Sequence, residues 1–303
     1  MAGRPIVSRV YGAARRLYDL GQMIRIEHTV FALPFAFAGA LLAGRSLGLN
    51  RGWPPWPTLG WIVVAMFGAR SAAMAFNRIV DARLDAANPR TSARHIPAGT
   101  VSFRQAALFV IVAAALLVFA AARLNPLCLK LSPLALAWTL GYSYTKRFTA
   151  WSHLVLGIGI GAAPLGAWIA VTGSFAVTPI LLSAAVALWI AGFDIIYALQ
   201  DMEVDRRLGL HSIPARLGAT RALQVARIMH AAMLGLLGLT GITANLGFWY
   251  YSGLIVSAAL LAYEHAIVHP RDLSRVNTAF FTMNGWVSIG LFAFLALDGW
   301  FVR

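Results

Sequence analysis

Apolar runs of about 20 residues recur along the whole chain, and a helical run of that length matches the hydrocarbon thickness of a bilayer. The runs therefore restrict the possible folds more than any other feature does. Hydropathy predicts nine spans, near residues 28–48, 58–79, 103–122, 126–145, 153–172, 177–199, 221–244, 247–268 and 277–299. The chain is predicted to be an all-α, polytopic membrane protein. Because no linker of domain-separating length occurs, residues 1–303 are interpreted as one domain.

Composition excludes two other classes of protein. Only 12% of the residues are charged and 59% are hydrophobic, so a water-facing surface of ordinary size cannot be built. The net charge of +14 is not concentrated in a compact basic domain, and we expect no nucleic-acid partner. The single cysteine, Cys128, excludes an internal disulfide and a cysteine-based metal site.

The distribution of positive charge predicts the orientation. With the N-terminus in the cytoplasm, 19 of the 25 Lys and Arg residues fall on the cytoplasmic side. The exceptions are five residues on the opposite side and one within the second span: Arg45, Arg51, Arg123, Lys130, Arg303 and Arg70. We expect a multi-pass protein of a bacterial-type inner membrane, with its N-terminus inside and its C-terminus outside.

The N-terminal 24 residues precede the first span. Between residues 4 and 24, arginines and apolar residues alternate at helical spacing, which predicts a cytoplasmic amphipathic segment (1–24) lying on the membrane surface. A plain cytosolic leader is the alternative.

Two similar acidic stretches end the second and sixth spans. If the helix continues through the first, Asn77, Asp81 and Asp85 lie four residues apart and share one face. The second carries Asp201 and Asp205 at the same spacing. Six of the 11 acidic residues lie in or just before these stretches. Because both spans run toward the cytoplasm, we expect the stretches to meet on one side of the membrane.

Carboxylates gathered at helix C-termini repel one another unless cations balance them. Mg²⁺ is held by a few carboxylates together with substrate phosphates. The stretches therefore predict a site in which Mg²⁺ bridges them to a diphosphate and stabilises charge on the leaving group. The alternative is that arginines neutralise two ordinary helix ends.

Basic residues on the same side are candidate diphosphate ligands. Tyr142 and Lys146 lie one turn apart at the end of the fourth span, and Lys146 is the stronger candidate. The loop residues Arg83, Arg94 and Arg206 are weaker candidates. The alternative for each is an ordinary cytoplasmic positive charge.

Two charges lie deeper in the predicted spans. Arg70 precedes Asn77 by seven residues, as Asp194 precedes Asp201, so each lies on roughly the face of its motif. A charge at that depth is costly and is usually functional or paired. We expect Arg70 to meet an anionic group and Asp194 to orient or deprotonate a hydroxyl. A structural Arg70–Asp194 ion pair is the alternative.

These motifs resemble those of the UbiA superfamily of intramembrane aromatic prenyltransferases. The resemblance covers nearly all of the chain from about residue 22, and it rests on Asn77-x3-Asp81-x3-Asp85, Asp201-x3-Asp205, Tyr142-x3-Lys146 and residues 27–35 and 192–201. The last two ranges are similar to 4-hydroxybenzoate polyprenyltransferases and to relatives in the alternative menaquinone pathway. Some relatives carry an Asp directly after the motif Asn, where this chain has Arg78.

The resemblance implies nine helices around a central cavity, capped by cytoplasmic loops. It implies a Mg²⁺-bound polyprenyl diphosphate whose tail reaches lipid, and an aromatic acid acceptor. By analogy the motif residues hold Mg²⁺ and diphosphate, and Tyr197 joins Tyr142, Arg70, Lys146 and Arg83 among the substrate-binding residues. 4-Hydroxybenzoate is the expected acceptor, prenylated ortho to its hydroxyl, with 1,4-dihydroxy-6-naphthoate as the alternative.

Two other functions use buried or clustered acids. A cation-coupled transporter would place them near the midplane, in inverted repeats, whereas here the repeated stretches run parallel at the cytoplasmic end. An alcohol phosphotransferase of the phospholipid type would carry an Asp-Gly-rich signature that this chain lacks.

Overall fold

The computed structural model describes residues 18–24 and 29–301. Within these ranges the regular structure is helical, apart from one isolated bridge between His269 and Asp272. The principal helices are α1 (Thr29–Ser46), α2 (Trp56–Ala87), α3 (Phe103–Leu124), α4 (Pro126–Thr145), α5 (Ser152–Gly161), α6 (Ala163–Thr172), α7 (Val177–Ala198), α8 (Met202–Arg207), α9 (Ile213–Thr243), α10 (Phe248–Ile267) and α11 (Asn284–Phe301). Of the predicted N-terminal amphipathic segment, residues 18–23 are helical, and most of the remainder lies outside the described residues.

Six helical segments of the described chain are long and apolar enough to cross a membrane. They are Trp56–Ala87, Phe103–Leu124, Ser152–Thr172, Val177–Arg207, Ile213–Thr243 and Val276–Phe301. Ala32–Ser46 is apolar but shorter, and α4 and α10, which lie where spans are predicted, are not among the six. The all-α, multi-pass architecture is confirmed, whereas the number of nine crossings stays a prediction.

The helices pack against one another in a closed ring. α2 packs most extensively on α3, α7 packs on both α5 and α9, and α11 returns to α1. The backbones of α5 and α7 lie very close to each other, because a Cβ added at Gly157 would lie 2.2 Å from the carbonyl oxygen of Ala187. Small residues allow such backbone contact between membrane helices, and it brings the N-terminal turn of α5 against the last turns of α7.

Several helical segments contain an interruption. The fifth span breaks at Ala162 into α5 and α6, and Pro164 opens the second piece. Gly218 takes a positive φ of 78° and separates the first turn of α9 from its long apolar part. A π-helical turn, Ala279–Met283, precedes α11.

Candidate active site

The first acidic stretch is a continuous part of α2. Asn77 Nδ2 donates to Asp81 Oδ2 at 3.0 Å, so the predicted four-residue stacking is confirmed for this pair. The side chains of Asp81 and Asp85 are buried, and Asn77 is half-buried. The helix ends at Ala87, where Asn88 forms its C-cap.

The second acidic stretch follows a change in helix type. α7 ends at Ala198, a 3₁₀ turn covers Leu199–Asp201, and α8 carries Asp205. Asn88 Nδ2 reaches across from the end of α2 and donates to Asp201 Oδ1 at 2.9 Å. The end of α2 therefore contacts the second acidic stretch directly, although 113 residues separate the bonded pair.

Both stretches line one polar cavity of about 230 Å³. The predicted site residues that line it are Asn77, Asp81, Asp85, Tyr142, Lys146, Asp194, Asp201 and Asp205. They come from α2, α4, α7 and the segment after α7, so residues distant in the sequence converge on a space large enough for a diphosphate.

Basic side chains neutralise three of the four motif carboxylates. Asp81 accepts hydrogen bonds from Lys146 Nζ at 2.5 Å and from Arg147 Nη2 at 3.2 Å. Asp85 pairs with Arg94 at 2.7 Å. These contacts correspond to the arrangement that the sequence offered as the alternative, in which arginines balance the helix ends.

Arg90 makes the most extensive of these contacts. Its Nε donates to Asp201 Oδ1 at 2.8 Å, its Nη2 donates to Asp201 Oδ2, and its Nη1 donates to the Tyr197 hydroxyl at 3.1 Å. Burial lowers the pKa of Arg90, but the hydrogen bonds and charge of Asp201, together with Tyr197, raise it by more, so the net pKa lies above the ordinary value. This guanidinium therefore holds the segment after α2 against the second acidic stretch as a permanent cation.

The residues present fit Mg²⁺ in donor chemistry. In the described ranges, no three His, Cys, Asp or Glu side chains converge closely enough to enclose a metal ion by themselves. The cavity nevertheless offers carboxylate and amide oxygens, the ligands that Mg²⁺ prefers, and Asp85 Oδ2 is buried with no hydrogen-bond partner. An ion there would need phosphate oxygens to complete its coordination.

Asp194 lies beside the motif residues and contacts a histidine that sequence reasoning did not identify. Its Oδ2 lies 2.7 Å from Nδ1 of His153, which is buried at the start of α5. Arg70, for which an ion pair with Asp194 is the alternative, lines a second cavity.

The second cavity is apolar and has a volume of about 250 Å³. Apart from Arg70, its walls are chiefly small and aliphatic side chains of α2 to α6, with Trp138 and Tyr142 on α4. Tyr142 and Leu156 line both cavities, so the polar and the apolar space adjoin at these two side chains.

Besides Arg70, three predicted or weaker candidates lie outside the polar cavity. Arg83 is exposed, and Arg206 pairs with the exposed Glu203 at 3.1 Å and donates to the backbone of Ala215. Tyr197 does not line the cavity but supports it through Arg90. The diphosphate role of Arg83 stays a prediction.

Sequence reasoning did not assign Asn88, Arg90, Arg147 or His153 to the site. Arg90 and Asn88 follow the first motif within five residues, and Arg147 follows Lys146, so proximity to a motif was an available signal for them. Nothing in the sequence near His153 marks it.

The sequence matches the UbiA prenyltransferase family over residues 32–287. It is 35% identical over 249 residues to a 4-hydroxybenzoate octaprenyltransferase of Xanthomonas oryzae pv. oryzae (strain PXO99A), covering 82% of each chain. The fold superposes on a UbiA homologue from Aeropyrum pernix K1 with a TM-score of 0.80 and 37% identity, covering 90% of this chain and 98% of that one.

A more distant solved structure shares the fold. It is a UbiA homologue from Archaeoglobus fulgidus bound to DMAPP and Mg²⁺, with a TM-score of 0.66 and 18% identity, covering 89% of this chain and 99% of that one.

Proposed function

Because the chain belongs to the UbiA prenyltransferase family and is an aromatic prenyltransferase, we propose that it transfers a polyprenyl group from its diphosphate to 4-hydroxybenzoate, ortho to the hydroxyl. The observation that supports this proposal is that both acidic stretches line one polar cavity, which adjoins an apolar one. A relative that is 35% identical carries the corresponding name.

The polar cavity is the proposed diphosphate site. Asn77, Asp81, Asp85, Asp201 and Asp205 would hold Mg²⁺ through their oxygens. When bound, Mg²⁺ supplies positive charge that stabilises the departing diphosphate.

The basic residues around the cavity change partners in this proposal. Lys146, Arg147, Arg94 and Arg90 neutralise the carboxylates in the structure, and each would turn toward phosphate oxygens when the diphosphate enters. Arg83 would need to fold over the cavity to take part, because it is exposed here. The carboxylates would then be released to the metal without leaving any buried charge unbalanced.

The apolar cavity is the proposed place for the prenyl chain. Tyr142 and Leu156 stand where the cavities meet, so a bound prenyl diphosphate would place its allylic carbon near them. Chiefly apolar walls, and ring faces that attract positive charge, suit the allylic cation that forms when the C–O bond breaks. Longer tails would continue toward lipid.

The acceptor is proposed to bind at the same junction. Arg70 would meet its carboxylate and Asp194 would accept a hydrogen bond from its hydroxyl, which makes the ring more electron-rich. The C–O bond breaks and its electron pair leaves with the diphosphate. The ring carbon ortho to the hydroxyl then bonds to the allylic carbon, and the ring proton passes to an oxygen of the departed diphosphate, which restores aromaticity.

1,4-Dihydroxy-6-naphthoate is the alternative acceptor, since it too carries a carboxylate for Arg70 and a hydroxyl for Asp194. A cation-coupled transporter is not retained, because the family and the named relative are prenyltransferases. We further propose that the N-terminus and the active site face the cytoplasm of a bacterial-type inner membrane.

Purified protein in detergent, given Mg²⁺, geranyl diphosphate and each acceptor in turn, tests the proposal. We expect prenylated 4-hydroxybenzoate, loss of product with EDTA, and recovery with excess Mg²⁺. Asp81→Asn and Asp201→Asn should each lower kcat/KM by about a hundredfold or more, because each removes a carboxylate from the charged site. Asp272→Asn, which alters an exposed loop carboxylate, is the matched control and should retain wild-type kcat/KM.

If product formed only with 1,4-dihydroxy-6-naphthoate, that compound would replace 4-hydroxybenzoate as the proposed acceptor. Full activity in both motif variants would contradict the assigned site.

A further inference from the structure

A buried histidine joins α5 to α7 beside the polar cavity. His153 Nδ1 lies 2.7 Å from Asp194 Oδ2, and the histidine side chain is 5% exposed against 25% for the aspartate. Both residues line the cavity, but Asp194 is the more open of the two. The aspartate is therefore the group that a substrate would contact, with the histidine behind it.

The tautomer of His153 follows from its second contact. The backbone N–H of Ile213, the first residue of α9, donates to His153 Nε2 at 3.4 Å. A backbone N–H is only a donor, so Nε2 must carry a lone pair and the ring proton of a neutral imidazole must lie on Nδ1. His153 therefore donates its proton to a hydrogen bond with Asp194 and accepts from the start of α9.

The pair also lies where the proposed reaction would take place. Leu156, one turn after His153 on α5, lines both the polar and the apolar cavity. The close contact of Gly157 with Ala187 holds α5 against α7 at this level, which restricts the distance between the two side chains.

We propose that His153 is a positioning residue for Asp194, an inference that rests on the proposed prenyl transfer. The Nδ1–H group holds Oδ2, which leaves Oδ1 of the carboxylate to accept the hydrogen bond from the acceptor hydroxyl. His153 does not contact the acceptor, and its proton stays on Nδ1 throughout. Its effect on the reaction therefore passes entirely through the orientation of Asp194.

Kinetics of His153 variants test this role. His153→Leu should lower kcat by about tenfold or more, because a misaligned base loses part of its effect, while KM for geranyl diphosphate stays within about threefold of wild type. His153→Gln should recover most of kcat, because its amide can both donate to Asp194 and accept from Ile213.

A double-mutant cycle separates positioning from support of the fold. In an Asp194→Asn background, His153→Leu should cause less than about a twofold further loss of kcat, since residues that act as a unit are not additive. A histidine that only ties α5 to α7 would instead give the same loss in both backgrounds.

His230→Leu is the matched control. His230 is also buried and also reaches α7 from a neighbouring helix, where its Nε2 lies 3.2 Å from the carbonyl oxygen of Trp189, but it does not line either cavity. We expect this variant to melt earlier in detergent and to keep its kcat.

Wild-type kcat in His153→Leu, equal losses in the Leu and Gln variants, or additive losses in the cycle would each overturn the positioning role. Wild-type protein that prenylates no aromatic acceptor would instead refute the proposed function, and the positioning role with it.

Discussion

At the scale of single residues, Lys146 is the clearest contributor of positive charge to the cavity. Its ammonium group donates to the buried Asp81, which also accepts from Arg147 and Asn77. Lys146→Met keeps the length of the side chain and removes the charge. We expect KM for geranyl diphosphate to rise by about tenfold or more, in keeping with about 1.5–3 kcal/mol for a hydrogen bond to a charged group.

Lys130→Met is the control for that measurement, because Lys130 is the other lysine of the chain and is exposed on the same helix, α4. An equal rise in KM in both variants would indicate a general effect of net charge and would remove Lys146 from the proposed diphosphate site.

Part of the site is predictable at this scale because helical periodicity is local. Asp81 and Asp85 share a helical face because of their spacing alone, and that information is contained in nine residues. The partners of these carboxylates depend on tertiary contacts. Arg90 reaches Asp201 across 111 residues and His153 reaches Asp194 across 41, and no local pattern encodes either contact.

At the scale of helices, Asp298 of α11 connects its helix to α1 and α10, away from the polar cavity. This fully buried carboxylate of α11 accepts from the backbone N–H groups of Gly247 and Tyr250 at the start of α10, and from Arg45 of α1 at 3.1 Å. Asp298→Ala would leave these donors without an acceptor. We expect a loss of about 3–5 kcal/mol in stability and a lower melting temperature in detergent, with KM unchanged in the folded fraction.

Asp298→Asn tests which part of that contact matters, because the amide oxygen can still accept from one N–H group while the charge is lost. Its melting temperature should fall between those of wild type and Asp298→Ala. An Ala variant that melts with wild type would show that the junction of α1, α10 and α11 does not depend on this carboxylate.

The positions of the helices are predictable from hydropathy, but their interruptions are not. α3 and α4 begin at the predicted residues because Ser102 and Asn125 cap them directly before apolar runs. The 3₁₀ turn before Asp201 and the π turn before Asn284 carry no comparable signal. Asn284 accepts from the Trp189 indole at 2.8 Å, so packing between distant helices accompanies the π turn.

At the scale of the whole molecule, three predicted spans lie between the second and the sixth, so that both acidic stretches are predicted to lie on one face. Two spans that run in the same direction end on the same face, and the hydrogen bond from Asn88 to Asp201 shows the two motif ends in contact. The assignment of that face to the cytoplasm rests on the distribution of Lys and Arg alone, and it can be measured directly.

Cysteine labelling in membranes provides that measurement. In a Cys128→Ala background, which removes the single native cysteine, Ser92→Cys places a thiol in the exposed loop next to Arg90 and Arg94. Ser174→Cys places one in the exposed turn between α6 and α7. A membrane-impermeant maleimide should label residue 92 in inside-out vesicles and residue 174 in intact spheroplasts, because the positively charged loops remain in the cytoplasm. Labelling of residue 92 from outside would reverse the proposed orientation, and labelling of both positions from one side would refute an odd number of crossings between them.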